Sequence, residues 1–157
     1  MEIIEKSEGI GALLKSFASL AKESDKIIFI GTPGFCTPFA EIAAYSLRKS
    51  SKQMGFIANT DIEKAKQLIP TDIGMQLGDT IDYHADTVVL LGGLAMPKIG
   101  VEPEELKTIL ESIYEGSQKK LLIGICFQSI FEKQGWTDIL NFDYIIDSDM
   151  SVSLKKT

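Results

Sequence analysis

Arginine is nearly missing from this chain. Sixteen basic residues face twenty-two acidic ones, for a formal charge of -6, and Arg48 is the one guanidinium among them. A nucleic-acid surface wants a basic stripe and forked donors for phosphate, so that class of partner is not expected. Histidine is as scarce: His84 stands alone, with no second imidazole to join it in a metal site. The two cysteines, Cys36 and Cys126, form no CxxC pair and read as reduced thiols, and two soft ligands alone do not hold a metal. No apolar run approaches the roughly 18 residues of a membrane-spanning helix. The start, Met1-Glu-Ile-Ile-Glu-Lys, lacks the basic and long apolar regions of a signal peptide, which points to the cytoplasm.

What is present suits one ordinary domain over residues 1–157, with 45% of residues apolar and 24% charged. A chain of this size buries roughly 68–70% of its unfolded surface and needs no disulfide or structural metal. Near the start, Ile10, Leu13, Leu14, Phe17 and Ala21 fall on one helical face behind Ser7 as N-cap. Five short apolar runs follow: Lys26–Gly31, Met54–Ala58, Thr87–Gly92, Leu121–Cys126 and Tyr144–Ile146. They are apolar throughout rather than alternating, as strands buried on both faces of a parallel sheet are. Between them, Pro38 and Pro103 suit first helical positions, and Thr60 with Glu63 has capping-box spacing. Leu106, Ile109, Leu110, Ile113 and Tyr114 form a stripe ahead of Gly116, where a left-handed residue is wanted.

These signals predict an α/β fold: a single three-layer α/β/α domain around a mainly parallel five-stranded sheet. Its order is either flavodoxin-like, 2-1-3-4-5, or Rossmann-like, 3-2-1-4-5. Pro70–Asp86 has no clear period and is long for a connection, so it holds a small extra element or a functional loop.

Ligands of open α/β sheets bind beyond the carboxyl ends of the strands, where strand order reverses. After the first strand comes Gly31-Thr32-Pro33-Gly34-Phe35-Cys36-Thr37-Pro38, whose glycines admit close backbone approach ahead of a helix N-terminus. It matches neither GxGxxG nor GxxxxGK[ST], and a capping turn explains it as well. The third strand ends in Gly92-Gly93, with Lys98 able to place a cation nearby. Asn59-Thr60-Asp61 could meet a ribose hydroxyl, although helix capping accounts for it more simply. Asp147 and Asp149 could hold a hard cation but suit solvated carboxylates better.

Gly124-Ile125-Cys126-Phe127-Gln128 carries a cysteine from a strand into a helix start and partly resembles the elbow of class I glutamine amidotransferases. That family has glycine where Gln128 stands and a histidine after the cysteine, whereas His84 precedes it. His84 also falls at the opposite edge, roughly 15 Å or more from Cys126, so a Cys–His pair is not expected. Cys36, at a helix start, is the thiol expected to be partly accessible and activated, and Cys126 the shielded, protonated one.

Taken together, Ser7–Gly11, Gly31–Glu41, Asn59–Ile62, Leu91–Val101 and Gly124–Glu132 resemble a small family of methanogenic archaea, a domain of unknown function. The resemblance covers most of the chain and implies a Rossmann-like domain in an anaerobe's cytoplasm; it assigns no catalytic role. The expected function is binding of a small anionic or nucleotide-like ligand by Gly31, Thr32, Gly34, Phe35, Cys36, Thr37, Gly92, Gly93 and Lys98. Two other readings stand beside it: a non-catalytic interaction protein or homodimeric accessory subunit contacting its partner through a helix face, and a cysteine-dependent enzyme using Cys126 or Cys36.

Overall fold

The structure, a computed structural model, describes residues 1–157. In chain order its elements are α1 (Ile10–Leu20), β1 (Lys26–Gly31), α2 (Thr37–Ser46), β2 (Gln53–Ala58), β3 (Lys66–Thr71), β4 (Gly74–Thr80), β5 (Thr87–Leu91), α3 (Pro103–Ile113), β6 (Leu121–Phe127), α4 (Ile130–Lys133) and β7 (Tyr144–Ser148). All five apolar runs are strands, and β1, β5 and β6 are buried nearly end to end. Side chains of a strand alternate between faces, and the core divides accordingly. Ile28, Ile30, Val88, Leu90 and Leu122 pack with α3 and α4 on one face. Ile27, Phe29, Val89, Leu91, Ile123 and Ile125 pack with α1 and α2 on the other. Each large apolar side chain so enclosed contributes about 1.5–3 kcal/mol.

The sheet has seven strands in the order β4-β3-β2-β1-β5-β6-β7 and is mixed, which corrects the expected five. Its parallel part runs β2-β1-β5-β6-β7, the 2-1-3-4-5 order of the two foreseen. From the β1/β5 pair, α2 leads outward to β2 and α3 outward to β6. Right-handed crossovers running in opposite directions place those helices on opposite faces.

The two additional strands come from the stretch that lacked a period. No helix follows β2: Thr60 and Glu63 form no capping box, and only a short turn, Ile62–Lys64, occurs there. Asn59, left-handed at φ 55°, turns the chain, and β3 returns antiparallel to β2 with Gly55 opposite Gln67. A Cβ at Gly55 would lie 3.1 Å from the Lys66 carbonyl, so the close approach of β3 requires glycine. A two-residue connection, Asp72-Ile73, joins β3 to β4, and the Thr71 hydroxyl donates to the Gly74 carbonyl at 2.7 Å. Leu68 and Met75 lie buried beneath α2, while most of the hairpin's other side chains face outward.

Helix ends differ at one point from expectation. Gly9, at φ 85°, precedes α1 where Ser7 was expected to cap it. Pro38 and Pro103 do open α2 and α3, and Gly116 is left-handed at φ 77°. At the amino edge of the sheet, polar groups are matched. Ser24 and Thr87 share a 2.7 Å hydrogen bond, and Asp86 accepts the Asp25 and Lys26 N–H groups. His84 belongs to this edge, its Nδ1 2.7 Å from Asp82, far from either cysteine's loop. No helix is long and apolar enough to cross a membrane.

Candidate functional site

Strand order reverses between β1 and β5, and their carboxyl ends carry the loops from which most expected ligand contacts come. The loop after β1 folds back on itself: the Cys36 N–H donates to Thr32 at 2.8 Å and the Gly34 N–H to the Thr37 hydroxyl at 3.2 Å. This drives the Cys36 side chain into the switch point. A Cβ on Gly93 would stand 2.4 Å from Cys36 Sγ, and one on Gly31 2.4 Å from Cys36 Cβ. These glycines make room for the protein's own thiol. Cys36 is 2% exposed, and burial pushes its thiol up from the ordinary value, against opposing pull from Thr32 and Gly93. The expectation of an accessible, activated Cys36 is overturned: enclosure outweighs the helix dipole.

Gly92 plays the same part for the other thiol, since its Cβ would lie 2.7 Å from Cys126 Cβ. The two cysteines consequently seat on neighbouring glycines but belong to different faces of the sheet. Cys126 is 1% exposed and donates to Asp147 at 3.3 Å. Burial first, and then the Asp147 carboxylate, push its thiol up to about 12, so it is protonated at neutral pH as expected. Asp147 also accepts the Ser129 N–H at 2.9 Å and the Ser129 hydroxyl at 2.6 Å. Ser129 and Gln128 are both left-handed at φ 55°, so the sharp turn after β6 exists, but Asp147 holds it closed rather than activating a nucleophile. Asp147 is thus a structural acceptor for three donors, a role the sequence hid because Ser129 and Asp147 lie on different strand ends.

The other side of the switch point is not so matched. Thr32 Oγ1, just past β1, and Asn59 Oδ1, just past β2, are buried and form no hydrogen bond, although the Thr32 hydroxyl lies near enough to the Cys36 thiol to act on it. Toward β5 and β6 an aromatic row crosses the same edge: Phe35 stands 6.4 Å from Phe39, and Phe39 5.1 Å from Phe127 at the end of β6. Phe35 is 57% exposed. Sequence reading placed Phe35 but missed Phe39 and Phe127, since nothing in their spacing shows that α2 and β6 bring them together. Lys98 is exposed, in a turn beyond Gly92 and Gly93, with no salt bridge. A cleft of about 310 Å³ lies elsewhere, between α3 and the starts of β6 and β7. Two of its polar groups are engaged within the protein: the Tyr114 hydroxyl donates to the Leu121 carbonyl and Asp143 accepts the Leu122 N–H.

The whole arrangement has a close counterpart. A crystal structure of a protein of unknown function from Methanothermobacter thermautotrophicus superposes with a TM-score of 0.92 at 38% identity, over 100% of this chain and 99% of that one. An uncharacterised protein of Methanocaldococcus jannaschii is 40% identical over 157 residues, 98% of this chain and 94% of that one. A family model described as an uncharacterised protein conserved in archaea, DUF2124, matches residues 8–151. The chain belongs to this family. An uncharacterised protein of Methanothermobacter thermautotrophicus, 40% identical over 151 residues, adds a further methanogen relative. The matched span holds every strand and helix, so the switch point and both glycine-seated thiols lie within the archaeal family's domain.

Proposed function

We propose that this chain is a binding domain for a small nucleotide-like anion, seated at the carboxyl edge beside the β1/β5 switch point. The observation that carries the reading is the pair of buried, unpartnered atoms, Thr32 Oγ1 and Asn59 Oδ1, on adjacent strand ends. A buried polar group without a partner costs about 1–3 kcal/mol, which a ligand hydroxyl or amine placed there returns. Phe35, exposed at the same edge over Gly93, offers a ring face for a heterocycle. The N-terminus of α2 and the free cation of Lys98 supply positive potential for an anionic group. Binding here uses side chains and the helix end; Gly31 and Gly93 take no part beyond holding Cys36.

Thermal-shift measurement against nucleotides, phosphorylated coenzymes and inorganic phosphate tests this. A ligand at roughly 100 times its Kd adds about 2.7 kcal/mol of stability. The shift is expected to shrink in Thr32→Val and in Phe35→Ala, whose side chains contribute little to the core. Absence of a shift with every anion overturns the reading, as does a shift that both variants retain in full.

A further inference from the structure

The last strand and the segment after it carry a pattern that one copy of the chain does not use. Tyr144, Ile146, Met150, Val152 and Leu154 share one parity, interrupted by Ser148, and the residues between Ile146 and Lys155 on the other parity are Asp147, Asp149, Ser151 and Ser153. That is the period of a half-buried strand. Yet the chain forms a strand only over Tyr144–Ser148, and beyond it Met150 is 59% and Val152 86% exposed, with Leu154 wholly so. β7 is also an edge strand, paired with β6 alone, so its outer N–H and C=O groups are open. If the strand continues in phase, Met150, Val152 and Leu154 join Ile146 on the face that α1 covers. Exposed Ile10 opens α1, whose N-terminal end lies toward the carboxyl edge because its C-terminal end leads into the start of β1.

We propose that two copies of this chain pair antiparallel along β7 and its continuation to Leu154, joining their sheets edge to edge. The charges favour a second copy as the occupant. Asp143 and Asp147 make one end of the segment acidic, Lys155 and Lys156 make the other basic, and Asp149 lies near the middle. A two-fold antiparallel pair lays each basic end along the partner's acidic end, whereas a parallel pair would set like charges side by side. From Tyr144 to Leu154 the ladder spans on the order of 35 Å at about 3.4 Å per residue. With the apolar side chains of Met150, Val152 and Leu154 along it, that length suits a standard interface of about 1,600 Å². This inference stands apart from the ligand reading, since neither Thr32 nor Asn59 is near the ladder in sequence or strand order.

Sedimentation equilibrium of the full chain from about 1 to 100 μM, a range that brackets micromolar affinity, is the test. The parent chain is expected to be a dimer. The double variant Val152→Asp/Leu154→Asp is expected to weaken association at least about tenfold, and Lys155→Glu/Lys156→Glu several-fold. All four positions are exposed, so the fold survives, and an unchanged circular dichroism spectrum confirms it. A monomer throughout the range overturns the proposal, and so does a dimer as tight in both double variants as in the parent.

Discussion

Two corners of one sheet edge are built from the same parts and finished differently. At each, a parallel strand ends, a cysteine seats against a glycine at the end of β5, and a left-handed residue turns the chain: Asn59 at one corner, Gln128 and Ser129 at the other. At the β6/β7 corner every donor is answered, with Asp147 accepting from Cys126 and from both donors of Ser129. At the β1/β2 corner Thr32 Oγ1 and Asn59 Oδ1 are left without partners. Buried polar groups are almost always paired in folded proteins. The finished corner therefore reads as structure, and the unfinished one as the place where something else completes the pairing.

The comparison breaks most forcefully at the glycines. Gly93→Ala is expected to cost on the order of 3 kcal/mol in chemical denaturation, since its Cβ would stand 2.4 Å from Cys36 Sγ. Cys36→Ala removes that sulfur and should recover much of the loss. Gly92→Ala should be equally harmful, but Cys126→Ala should not rescue it, because the obstacle is Cys126 Cβ at 2.7 Å, which alanine keeps. Equal rescue at both corners would show that the two thiols are not seated as described.

Alkaline pH separates the corners next. The Cys126 thiol is raised from 9.0 to about 12, so the folded state holds its proton more tightly than the unfolded one does. That stability is fully present below the unfolded value and is lost as pH rises from 9 toward 12, at about 1.4 kcal/mol for each unit between the two values. Cys126→Ala should flatten this part of the stability curve. Tyr114 and Cys36, also raised by burial, contribute as well, and Tyr114→Phe and Cys36→Ala measure their shares.

Asp147→Asn keeps the shape of the finished corner but withdraws its charge, and about 1–2 kcal/mol of stability should go with it, reduced by the exposure of the carboxylate. The variant should also bring the Cys126 thiol down toward its ordinary value, read as faster alkylation at pH 9. Smallest is Thr32→Val at the unfinished corner. Without ligand it should be neutral or stabilising by up to about 1 kcal/mol, because the hydroxyl it removes forms no hydrogen bond and only lies near the Cys36 thiol. A clear destabilisation by Thr32→Val would mean that the β1/β2 corner is finished after all.

The parallel core was readable because its strands are covered on both faces. Ile27 to Ile30 and Val88 to Leu91 have no solvent side and so no polar alternation. The hairpin was not, for the opposite reason. β3 and β4 bury Leu68 and Met75 against α2 and expose most of their remaining side chains, and Pro70 within β3 argues against a strand. Pro70 is tolerated because the ladder to β2 stops at Gln67. Thr60 and Glu63 have the spacing of a cap, but a cap needs a helix behind it, and Asn59 sends the chain back along β2. At the site, Gly31 and Gly93 lie against Cys36, whose side chain takes the space that a Cβ on either would need. Which group fills a glycine's space depends on a residue across the switch point, and local sequence does not contain it.

The central ladder also governs the order in which this molecule can assemble. Ile27 pairs with Thr87 and Ile30 with Leu90, partners about sixty residues apart in the chain. β3 and β4, by contrast, are joined by two residues. Hairpins close in roughly 1–10 μs, whereas pairings between distant segments wait on loop closure. The middle of the finished sheet is then among the last places to form, and refolding should be paced by β1 finding β5. Until that meeting Gly93 has no Cys36 to receive, so the switch point comes into existence only when the two halves of the sheet dock.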